Sequence, residues 1–128
     1  MRLADVERFL DIPYDADAFD CADFVAHVRR NLFGHDVRLP NGRPRGVAGQ
    51  LALGELSTPY AERTEIPRDG DLVLMLDSGR KGHAGLFFHL AHEGWVLHSN
   101  ERNGCSVLHR VRELPDWGAQ IEGYYRWV

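Results

Sequence analysis

A chain of 128 residues, 44% hydrophobic and 27% charged, is sized and mixed for one domain around one core and carries no compositional bias toward disorder. The formal net charge is −4, and the 15 Lys and Arg are dispersed, so no basic footprint for nucleic acid stands out; the nearest cluster, Arg43 and Arg45, falls in a Pro/Gly loop. No run of 18 apolar residues offers a membrane span, and the opening "MRLADVERFL" carries Asp5 and Glu7 where a secretory signal would be apolar, so neither export signal nor membrane contact is expected.

Residues 2–11 read as a short helix or turn, followed by a Pro- and Asp-rich loop, "DIPYDADAFD". The first firm element begins at Asp20. Cys21, Phe24, Val25, Val28 and Leu32 recur at the spacing of one helical stripe, with Asp20 as N-cap, Asp23 completing a short-armed capping box, and Gly34 as the stop. "LPNGRPRG" is a loop, and "VAGQLALGELSTPYAE" reads as a helix interrupted by Gly54. The second half changes period. "DLVLMLD" is a buried-strand run, "HAGLFFHL" and "WVLHS" are strand-like, and "SVLHRV" and "YYRWV" close the chain. Helices first and an antiparallel sheet after predict an α+β fold in a single domain, residues 1–128.

Cys21 and Cys105 are too few for a disulfide framework, and without an export signal both are expected as free thiols. Cys21 opens a helix on its core-facing stripe. An unperturbed cysteine of pKa about 8.5 is only about 3% ionised at pH 7. A helix N-terminus contributes at most about 2 kcal/mol toward the anion, so a nucleophilic role requires a cationic partner. The competing reading is an inert core thiol, since free cysteine is among the most buried residue types. Cys105, between Gly104 and Ser106, lacks the helix-end setting and reads as core or incidental.

Of seven histidines, His27 lies off the stripe and His35 in a loop after Gly34. His83, following Gly82 at a strand entrance, is the best base candidate. His98 on the return strand is the candidate to orient it, and the register decides whether it qualifies. One register sets His98 directly opposite His83 with Leu90-Ala91 as the turn. Another makes residues 91–94 the loop and sets His98 opposite Phe87, roughly 13 Å along the strand. His89 and His92 beside Glu93 could suggest zinc, but a site needs three or four convergent ligands, so no metal is expected. His109 is read as an exposed strand position.

"FDCADFVAHVRRNLFGHDVRLP", "IPRDGDLVLM", "GHAGLFFHLAHEGWVLHS" and "IEGYYRWV", in that order, resemble the NlpC/P-sixty cysteine peptidases, with the phage tail-assembly members nearest in appearance. The resemblance runs from about Pro13 to the C-terminus. It implies a papain-like fold of permuted topology, with Cys21 as nucleophile, His83 as base and His98 as polar orienter. Tyr14 of "IPY" would aid substrate or oxyanion binding. The substrate implied is the stem peptide of bacterial cell-wall peptidoglycan, with no cofactor. Phage tail proteins are possible partners, and delivery would be by a virion or another route that needs no signal peptide, such as injection as a toxin. The chain departs from the family pattern in "DCAD" for "DCSG" and in a longer segment between His83 and His98. Two other classes stay open: a structural tail-assembly module, and a thiol amidase or acyltransferase acting on another substrate.

Overall fold

The computed structural model describes residues 1–37, 61–77 and 80–128, without the side chains of Arg80 and Lys81. The predicted loop "LPNGRPRG", the Arg43/Arg45 pair and most of the predicted Gly54 helix lie outside the described residues. The last two residues of that helix, Ala61 and Glu62, belong instead to a strand.

A short helix α1 (Leu3–Val6) runs into a 3₁₀ turn (Glu7–Phe9), and helix α2 spans Cys21–Phe33. Asp20 caps α2: its carboxylate accepts from the N–H groups of Ala22 and Asp23, both at 3.0 Å, while Asp23 accepts from Asp20 N–H at 3.0 Å. A shorter Asp thus replaces the usual Glu of the capping box. Gly34, at φ 65°, takes the left-handed turn that ends the helix.

Strands β1 (Ala61–Thr64), β2 (Leu72–Asp77), β3 (Arg80–Leu90), β4 (Glu93–Ser99), β5 (Ser106–Arg110) and β6 (Ala119–Trp127) form one antiparallel sheet in the order β1-β6-β2-β3-β4-β5. The architecture is α+β. Both faces of the sheet's centre are covered, which is why β2 and β3 read as continuous apolar runs rather than alternating ones. On one face, Phe24, Val25 and Val28 of α2 pack with Leu72, Leu74, Ala84, Leu86, Phe88, Leu97 and Tyr125. On the other, Val73, Met75, Phe87, Val96 and Ala119 are closed over by Leu114 of a 3₁₀ helix, Val111–Trp117. No helix among the described residues is long and apolar enough to cross a membrane.

The β3–β4 hairpin takes neither predicted register. Leu90 pairs with Glu93 and Gly85 with His98, so the turn is Ala91-His92. Both turn residues have positive φ, 49° and 67°, the signature of a two-residue type I′ hairpin that Asn-Gly would satisfy without strain. Burial of Leu86, Phe88 and Leu97 on one face and Phe87 and Val96 on the other excludes a one-residue slip, and the pairing adopted seats His98 against the side-chain-free Gly85.

The N-terminal loop is fastened to the sheet by Ser106. Its hydroxyl donates to Phe9 O at 2.6 Å and accepts from Ile12 N–H at 2.9 Å, and Pro13 bridges Cys105. This tether brings the chain to Asp20 and so places the start of α2 against the sheet.

Candidate active site

Cys21 is the first residue of α2, and its stripe carries it into the helix-side core, where it is 9% exposed. The thiol donates to the carbonyl of Gly82 at 3.9 Å. Gly82 sits where the β2–β3 register shifts, between the pairs Met75–His83 and Leu76–Lys81, with φ at 110°. A glycine tolerates this bulge conformation, and the bulge turns the carbonyl toward the thiol. The helix end is thereby set one residue from His83.

His83 is 5% exposed and His98 1%. His83 Nε2 and His98 Nδ1 are 2.8 Å apart, a hydrogen bond between the two rings. Strand alternation explains the meeting. His83, Gly85 and Phe87 share the face opposite α2, His98 lies directly across from Gly85, and His83 is its diagonal neighbour. Gly85 leaves room for it: a Cβ there would stand 2.9 Å from His98 Cβ, from Leu97 O and from Val96 Cγ1. The His-x-Gly spacing is therefore a packing requirement of the imidazole pair.

The structure brings His83 and His98 together and Cys21 to the adjoining backbone. Among the described residues no hydrogen bond joins the thiol to the imidazole. Tyr14 is partly buried and held through its main chain, its N–H donating to Gly104 O at 3.0 Å. Cys105 is a partly buried free thiol.

The electrostatics differ from the expectation of an activated thiolate. Burial pushes the Cys21 thiol up to about 11, and the neighbouring Asp20 carboxylate adds to the rise, against the N–H groups of Ala84, Ala22 and Cys21 itself. Removing a core-facing sulfur from water outweighs the helix end. Burial likewise lowers His83 to about 4, opposed by the Asp77 carboxylate, and holds His98 well below the ordinary histidine range. At neutral pH the site is a neutral thiol beside neutral imidazoles.

Three residues that shape this site were not singled out from the sequence. Asp77, at the end of β2, accepts from Asn100 Nδ2 at 3.0 Å and is the charge that favours a protonated His83. The third is His109, expected to be exposed. It is buried, at 8% exposure, with Nδ1 3.0 Å from His98 Nε2. The register Val96–His109 puts it on the histidine face, a signal available only once β4 and β5 are paired. His89 and His92 are exposed at the hairpin end, and no group of three or more His, Cys, Asp or Glu among the described residues converges as a metal site.

No family model, curated protein or solved structure matches the chain.

Proposed function

We propose that the chain is a cysteine peptidase cleaving stem peptides of bacterial peptidoglycan, on a papain-like fold of the permuted NlpC/P-sixty type. The observation that carries the reading is the buried His83–His98 hydrogen bond next to the Gly82 carbonyl that accepts from the Cys21 thiol. The family assignment and the substrate rest on the sequence resemblance.

In this reading the thiol leaves the Gly82 carbonyl and meets His83 Nδ1 around the bulge at the strand entrance, and His83 takes the Cys21 proton as sulfur attacks the amide carbonyl carbon. Because the thiol is held up and the imidazole down, the proton moves as the C–S bond forms rather than resting in an ion pair. The oxyanion is received by the N–H of Cys21 at the helix start, with Tyr14 as a further donor. His83 returns the proton to the leaving amine, and water then attacks the thioester, releasing the acid and restoring the thiol. His98 fixes the ring of His83, and Asp77 stabilises its transient charge. This chemistry calls on no metal or organic cofactor.

A second reading has its own support: the thiol is bonded to Gly82 O and held neutral, as in a structural module of a phage tail that keeps the fold and acts by binding. Amine release from synthetic stem peptides separates the two. Hydrolysis by wild type and loss of it in Cys21→Ala and His83→Gln support the peptidase. Equal rates in wild type and Cys21→Ala overturn it. Hydrolysis of other amides or esters alone would redirect the substrate to that of a thiol amidase or acyltransferase.

A further inference from the structure

The histidine pair is part of a longer row. His83 on β3, His98 on β4 and His109 on β5 step diagonally across three adjacent strands on one face, joined ring to ring at 2.8 and 3.0 Å. The row ends under the surface: His109 stacks on Trp117 at 4.7 Å between centroids and 9° between planes, and Trp117 is 48% exposed.

Each of these bonds holds one proton when the rings are neutral, and a neutral imidazole has one donor and one acceptor nitrogen. The row therefore has only two self-consistent arrangements. In the first, His83 and His98 carry their protons on Nε2, each donating to the next ring, and His83 Nδ1 is a bare lone pair. In the second, His109 Nδ1–H donates to His98 Nε2 and His98 Nδ1–H to His83 Nε2, which leaves His83 protonated on Nδ1 and unable to act as a base. The state of the outermost ring selects the arrangement of the innermost.

We propose that His109 is a positioning residue that sets the tautomers of His98 and His83, accepting from His98 Nε2–H so that His83 Nδ1 stays free to take a proton, and that protonation of His109 reverses the row and disables the base. This rests on the reading of His83 as the base for Cys21. The groups facing His109 are His98 from β4 and, from the 3₁₀ helix, Trp117 and the Glu113 carboxylate, which favours its protonated form. His109 is the least enclosed of the three rings and the nearest to Trp117 at the surface, so it is the place where an external proton enters.

The test compares wild type with His109→Phe, which keeps a ring to stack on Trp117 but has no acceptor, and His109→Asn, whose Oδ1 stands near the position of Nδ1 and does not titrate. Long-range ¹H–¹⁵N NMR of the free protein at pH 7.5 reads each tautomer without any substrate. Wild type and His109→Asn are expected to show His83 and His98 protonated on Nε2. His109→Phe should show His98 as a mixture, and on acidification wild type should move the His98 proton to Nδ1 while His109→Asn does not. A single unchanged His98 tautomer in His109→Phe, or Nδ1–H on His98 in wild type at pH 7.5, overturns the proposal. Thermal unfolding of each variant guards against a merely unfolded protein. With a stem-peptide substrate, His109→Phe should lower kcat more than fivefold at constant KM, and His109→Asn should restore it. An inactive wild type with the expected spectra would defeat the peptidase reading and leave the tautomer assignment standing.

Discussion

Acidification between pH 7 and 5 should destabilise this protein through its buried histidines. His83 is held at about 4 in the native state by burial, against 6.5 when exposed in the unfolded chain. Between these values the unfolded state binds a proton that the native state refuses, so stability is full above pH 6.5 and is lost as pH falls toward 4. For His83 alone the loss between pH 7 and pH 5 comes to about 2 kcal/mol by linkage. His98, also lowered by burial and by the two rings beside it, works in the same direction. The His83 loss alone is a substantial part of the roughly 5–15 kcal/mol that holds a domain folded. The window avoids the carboxylate pair partners: Glu93, lowered chiefly by its hydrogen bond from Arg112, titrates below it. Urea unfolding at pH 7, 6 and 5 measures the slope. His83→Gln/His98→Gln should be less stable at pH 7 and should lose most of the pH dependence. A wild-type change under about 1 kcal/mol across the window would refute the claim that these rings are buried and neutral.

Gly85→Ala should cost about 1–3 kcal/mol through overpacking against His98, Leu97 and Val96, and NMR should show the His83–His98 bond broken; a silent substitution would mean the strands have slack there. Replacing Ala91-His92 by Asn-Gly removes two strained left-handed residues and should stabilise by about 1–2 kcal/mol in urea unfolding. Loss of stability would show that another turn is in use. Asp20→Ala should lose about 0.5–2 kcal/mol with the cap. Since that carboxylate also raises the thiol, alkylation of Cys21 by iodoacetamide at pH 8 should become faster; a slower reaction would contradict the placement of the charge.

The helix of Cys21 was readable from sequence because every signal for it is local: the apolar spacing, Asp20 and Asp23 at one end and Gly34 at the other. Strands β2 to β5 were readable as apolar runs. Strand β1 was not, because "AERT" has little apolar pattern and owes its conformation to pairing along β6. The 3₁₀ helix at 111–117 was also missed. It contains Pro115 and is held by burying Leu114 on the sheet, which is a tertiary cause. The site was legible to the same extent. Cys21, His83 and His98 lie on elements with local signatures, but the meeting of the two rings depends on a register that the turn chemistry alone did not favour. His109 needed a second register, and the raised thiol needed the burial that only packing supplies.

The central claim is that Cys21 performs acyl transfer on stem peptides. Its most direct test is digestion of purified peptidoglycan by wild type and by Cys21→Ala, with mass spectrometry of the released muropeptides. New stem-peptide fragments from the wild type alone are the predicted result, and their masses would name the bond cleaved. The same fragments from both proteins, or none from either with both folded, would contradict it.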